Sequence, residues 1–293
     1  MRVLLLSISG IVVLACCSSS PMGQSIPEVG TSDVAGIPDG IGTIEPTDTG
    51  TTISTRFTAP AGFTRISSAT NSFGQYLRKL PLKPTGVLVH LYNGELKRNQ
   101  GAHAAVLDLS VGKEDLQQCA DAVMRLRAEH LYASGLQDNI AFNFTNGFTA
   151  EWKRWRKGER IRIDGNRCTW VSGGALDSSH NALLSYLKQV FTYAGTLSLA
   201  KELKDVSALS LAIGDVFIHG GSPGHAVIVV DVARNDAGQE VFMLAQSYMP
   251  AQDIHVLRNL ANEVINPWFE LNRADKLYTP EWTFEWSDRR RWP

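Results

Sequence analysis

The chain has 293 residues, 28 Lys+Arg against 29 Asp+Glu for a formal charge of −1, and 44% hydrophobic against 19% charged residues. Disordered chains are more charged and less apolar, nucleic-acid binders that neutralise phosphates are basic, and four cysteines are too few for a disulfide scaffold of this length. One large domain or two small ones remain, with enough chain to bury a core.

Residues 1–15 place one cation, Arg2, before an apolar run too short for a comfortable transmembrane helix, and so read as a secretory signal. Val13-Leu14-Ala15-Cys16 resembles a bacterial lipobox, whose cysteine receives a diacylglyceryl group and becomes the mature N-terminus. That resemblance implies that Cys16 is the lipidation site and that the chain is an exported, lipid-anchored envelope protein. Cys17 in the next position, where Asp is absent, favours the outer membrane facing the periplasm in a Gram-negative host. The alternative is an ordinary cleaved signal with two incidental cysteines. Residues 16–55 are rich in Ser, Gly, Pro and Thr, lack aromatic residues and show no apolar period, as a flexible tether does. Residues 56–293 read as a single globular domain without internal repeats.

Within that domain residues 87–92 predict a strand ended by Asn93-Gly94, and residues 104–109 predict another. Over residues 115–133 the period changes: Leu116, Cys119, Val123, Leu126 and His130 recur at spacings of three and four, the stripe of an amphipathic helix. Ile140, Phe142 and Phe144 alternate before the turn Asn146-Gly147. Asp177-Ser178-Ser179 can cap a second helix running to about Tyr193, and residues 198–203 suit a short third one. Strands follow over residues 216–218, 226–232 and 241–245. Helices precede the sheet rather than alternate with it, which predicts an α+β fold.

Residues 214–230 contain Gly214-Asp215, a strand, the turn Gly220-Gly221-Ser222-Pro223-Gly224, and a second strand opened by His225. This hairpin resembles that of NlpC/P60, CHAP and papain-like cysteine hydrolases, where the catalytic His opens the second strand. The resemblance implies N-terminal helices packed on a mainly antiparallel C-terminal sheet. A strand end fixes the imidazole direction and an open turn leaves it accessible. On the next strand Gln246 can orient that ring. Asp231 is a rival that shares the face of His225 by parity, yet lies about 20 Å along a straight strand at about 3.3 Å per residue.

The nucleophile of such a site lies upstream, near the start of a helix. Cys119 meets this requirement, 106 residues before His225, where a helix N-terminus favours thiolate. Gln118 is a weak oxyanion candidate. The order Cys119, His225, Gln246 is that of papain, with departures: Gln118 precedes the cysteine, Ala120-Asp121 follows it, and Gln246 stands where papain has Asn. Three fates are open to Cys119: nucleophile, core thiol on the apolar stripe, or disulfide partner of Cys168.

Residues 115–122, 220–232 and 244–252 look like the bacterial family called domain of unknown function 4846, over roughly Arg56 to the C-terminus. That resemblance implies an exported or lipid-anchored bacterial protein and no established activity. Two functions are therefore carried forward: hydrolysis of an amide bond in cell-envelope peptide by Cys119, His225 and Gln246, or a non-catalytic cleft that binds peptide, glycan or lipid. Either implies a peptide or cell-wall ligand, a membrane reached through the lipid anchor, no nucleic acid and no cofactor, and leaves the oligomeric state open. No metal signature or phosphate-binding Gly loop is found. The basic run over residues 152–167 predicts a solvated hairpin with inward aromatics, Trp268, Trp282, Trp286 and Trp292 predict a tail docked on the core, and residues 289–291 predict a solvated tail.

Overall fold

The computed structural model describes residues 49–206, 211–270 and 276–293. The signal, Cys16 and the tether up to residue 48 lie outside the described residues. The elements run α1 (Ile53–Arg56), β1 (Thr64–Arg65), α2 (Phe73–Arg78), β2 (His103–Val106), α3 (Cys119–Ala133), β3 (Ala141–Asn143), β4 (Thr149–Glu151) and α4 (Trp152–Trp155). The hairpin β5 (Glu159–Asp164) and β6 (Arg167–Ser172), α5 (His180–Tyr193), α6 (Thr196–Glu202) and β7 (Lys204–Asp205) follow. The chain closes with β8 (Val216–His219), β9 (His225–Arg234), β10 (Glu240–Gln246), β11 (His255–Leu257), β12 (Phe269–Glu270), β13 (Leu277–Tyr278), β14 (Thr283–Phe284) and β15 (Arg289–Arg291).

The main sheet is antiparallel in the order β2-β11-β10-β9-β8-β15-β7, with β1 and β12 added to β9 and β10. β9 and β10 lie at its centre, and both are buried almost end to end. Val227 and Val229 join Phe217, Phe242, Leu244 and Phe284 in one apolar cluster. The helices α2 and α3 pack against β9. A strand covered on both faces becomes a continuous apolar run, which is how residues 226–230 read. The fold is mixed, with a mainly antiparallel sheet and few helices.

Several elements differ from the sequence pattern. Residues 87–92 form no regular strand and contribute only the isolated bridges His90↔Leu96 and Leu91↔Gln252. The fold begins before Arg56, because Ile53 is fully buried and Thr52 bridges Pro81. Two residues of α3 outside its apolar stripe are buried too: Asp121 and Arg125 are covered, and Arg125 is bonded to Glu129 and Gln117. Residues 289–291 are not a solvated tail. They form β15, pairing β8 with β7, and Arg291 bonds both carboxylate oxygens of buried Asp215. In the basic run, Trp152 and Trp155 are buried, while Arg154 stacks on Trp170 and Arg160 on Trp155 at 4.6 and 4.5 Å from the ring centroids.

A register shift between Met243 and Leu244 marks a β-bulge opposite residue 230 of β9. One extra residue reverses the alternation, so Val232, rather than Asp231, joins the Val227/Val229 cluster. Asp231 therefore does not share the face of His225. It is fully buried and ion-paired to both Arg65 and Arg78 at 2.5 Å. Removing one partner of a buried ionic group strands the others without solvent. Asp231→Ala, which leaves two guanidinium groups unpaired, is expected to cost about 3–5 kcal/mol of stability in urea denaturation.

Candidate functional site

The start of α3 is set by the loop before it. The Asp115 carboxylate accepts from the backbone N–H of Ala251 at 2.7 Å and from the Gln118 side-chain amide at 3.0 Å. The Asp121 carboxylate accepts from the backbone N–H of Gln118 at 3.0 Å, as an N3 acid does at a helix start. The helix thus begins at Cys119, four residues later than the periodicity predicts. Cys119 occupies the first helical position, where backbone N–H groups have no intrahelical acceptor. The Gln118 amide is turned toward Asp115.

The sheet supplies the other half of the site. His225 opens β9, opposite His219 at the end of β8. Its Nε2 lies 2.8 Å from Oε1 of Gln246, the last residue of β10. The backbone of Ala226, the residue after His225, lies near enough to the Cys119 thiol to favour its thiolate slightly. The structure therefore pairs His225 with Gln246 and sets the Cys119 thiol near the backbone of Ala226, with no hydrogen bond between thiol and imidazole among the described residues. Cys119 and Cys168 are both free thiols, not a disulfide. His219 is exposed at the rim, its Nδ1 3.7 Å from the Asp288 carboxylate.

Aromatic rings enclose the imidazole of His225. Tyr248 meets it edge-on at 4.8 Å, Trp282 lies at 5.5 Å and Phe284 stacks at 5.8 Å. Behind Gln246, its Nε2 donates to Glu281 at 2.7 Å, and Lys97 binds both oxygens of Glu281 at 2.7 and 2.9 Å. Neither Glu281 nor Lys97 belongs to a sequence motif, and no local pattern marks them. Trp268 is buried and donates to the Thr58 carbonyl, and Trp292 packs on Phe142, so the terminal aromatics dock the tail while Trp282 reaches the site.

Burial dominates the electrostatics. His225 is 1% exposed and Cys119 7%. Burial pulls the His225 pKa down to about 4, with the Gln246 hydrogen bond opposing and Lys97 reinforcing the shift. Burial, aided by the Asp121 carboxylate, pushes the Cys119 thiol up to about 11. The sequence expectation that a helix N-terminus favours thiolate here is thus overridden by desolvation. At neutral pH both the Cys119 thiol and the His225 imidazole are uncharged.

A cleft of about 310 Å³ opens beside Cys119, between residues 115–121, the start of α6 and the turn 221–224. Its rim carries Leu197 and Met249, both exposed. A side chain on Gly224 would place its Cβ 2.4 Å from Thr196 Oγ1 and 2.5 Å from the Gly221 carbonyl, so this wall is necessarily backbone. Among the described residues, no cluster of three or more His, Cys, Asp or Glu side chains is arranged to hold a metal ion.

Fold and site together define a mixed domain with a mainly antiparallel sheet, a buried His225–Gln246 pair at the sheet end and a buried Cys119 at the start of α3. The chain matches the family described as Domain of unknown function (4846) over residues 53–291, and it belongs to that family. No curated protein and no solved structure matches it significantly.

His255, fully buried behind Gln246, is held down to about 3 by burial. With folded pKa values of about 4 and about 3 against an ordinary 6.5, His225 and His255 contribute stability that is complete above pH 6.5. That contribution is lost as the pH falls through the folded values, because the unfolded chain takes up the protons first. Thermal unfolding between pH 7 and 3 is expected to show His255→Asn losing less stability on acidification than wild type.

Proposed function

We propose that this is an exported, lipid-anchored protein whose papain-like domain hydrolyses an amide bond in cell-envelope peptide. One observation carries the reading: a thiol at the first position of a helix lies near the backbone beside His225, whose Nε2 is held by Gln246. Among the described residues His225 Nδ1 has no hydrogen-bond partner, so it is the nitrogen left to act as base. In the reaction Nδ1 takes the Cys119 proton as the sulfur attacks the carbonyl carbon. The oxyanion that forms is met by first-turn backbone N–H groups of α3. His225 then protonates the leaving amine and the C–N bond breaks. Water, deprotonated by the same nitrogen, hydrolyses the thioester and restores the thiol.

Because both groups are neutral at rest, thiolate forms during attack rather than before it. Entry of a substrate into the cleft supplies the carbonyl that receives the charge. The Gln118 amide contributes to the oxyanion site only after leaving Asp115. A second reading is favoured by the burial and raised pKa of Cys119: the same cleft binds peptide, glycan or lipid without turnover.

Detergent-solubilised full-length protein incubated with peptidoglycan fragments separates the two. The hydrolase reading expects new peptide termini by mass spectrometry. Cys119→Ala should lower the rate by about 10³-fold or more with an unchanged melting temperature, and His225→Ala should lower it as far but also lower the melting temperature, because Gln246 Oε1 loses its partner. Fragments that bind but stay intact would establish the second reading. For the anchor, the mature N-terminal peptide is expected to carry a diacylglyceryl group on Cys16, and an unmodified cleaved terminus would overturn it.

A further inference from the structure

The Gln246 side chain can present either its oxygen or its nitrogen to His225, and the two orientations demand opposite imidazole tautomers. Its surroundings decide between them. Glu281 Oε2 lies 2.7 Å from Gln246 Nε2, and a carboxylate only accepts, so the amide N–H must face Glu281. His255 adds a weaker constraint. Its Nδ1 lies 2.9 Å from the Asp253 carbonyl and must carry the proton, so its Nε2 accepts from Gln246 Nε2 at 3.4 Å. Both amide hydrogens are then engaged. Oε1 is left for His225, whose Nε2 must donate across 2.8 Å. The lone pair of His225 is thereby placed on Nδ1. Glu281 is itself clamped by Lys97, which is buried, and the ammonium also lies 5.2 Å from the centroid of the Tyr248 ring that packs on His225.

We infer that Glu281, held by Lys97, is a positioning residue that acts through Gln246 to fix the tautomer of His225 and leave Nδ1 as its basic nitrogen. The inference rests on the proposed hydrolase only for its consequence; the tautomer follows from hydrogen bonding alone.

Long-range proton–nitrogen NMR of ¹⁵N-histidine-labelled full-length protein at pH 7 reads the tautomer directly. Wild type is expected to show His225 solely as the Nε2–H form. In Glu281→Gln the new amide can donate or accept, so the single signature should be lost and the Nδ1–H form should appear beside it. If that variant is destabilised by the stranded Lys97 ammonium, the pair Lys97→Met with Glu281→Gln removes the charge and should give the same mixture. A wild-type Nδ1–H form, or a pure Nε2–H form in both variants, would overturn the inference. An activity arm tests the reading beneath it: if wild type hydrolyses amides, Glu281→Gln should lower kcat with little change in KM. Absence of hydrolysis removes the proposed reaction but leaves the tautomer of His225, and the role of Glu281 in fixing it, to be decided by the NMR spectra alone.

Discussion

A buried imidazole needs its polar atoms paired, and the pairing of His225 with Gln246 is the contact on which the site depends. It joins the first residue of β9 to the last residue of β10, so it exists only when the two central strands are in register. Gln246 passes the constraint to Glu281 in the C-terminal segment, and Glu281 passes it to Lys97 in the loop before β2. Four stretches of chain far apart in sequence are thus tied into one buried network. Each member is satisfied by the next, and removing any one leaves a polar group without solvent.

The same network explains why the site is electrostatically quiet. Aromatic rings from the C-terminal segment exclude water around His225 and make protonation costly. Burial and the nearby Asp121 carboxylate likewise disfavour a charged Cys119. His225 is therefore held in place by Gln246 without being charged. In the proposed reaction charge appears when a carbonyl enters, among donors already in place.

The β-bulge beside residue 230 separates two polar systems that a regular strand would have put on one face. On one side lies the His225 cluster, and on the other Asp231 holds Arg65 and Arg78 against the sheet. The second system fastens the N-terminal segment and α2 to β9, which closes the helical face of the fold. Structural and candidate functional polar groups thus share a strand without competing for partners.

Local pattern determined much of this protein. The helical stripe and strand runs marked α3, α5, β8, β9 and β10, because periodicity and turn residues are short-range signals. The hairpin opened by His225 and the following strand ending in Gln246 were legible for the same reason. Other features depended on contacts that no window of sequence contains. The true start of α3 depends on Asp115 meeting Ala251, and the face of Asp231 depends on a bulge between two strands. The strand character of Arg289–Arg291 depends on an open edge of β8, and the roles of Glu281 and Lys97 depend on burial against Gln246. Sequence determined which residue types were available for chemistry. Tertiary structure decided their protonation and partners, because desolvation and hydrogen bonding are properties of the packed surroundings and not of the residue alone.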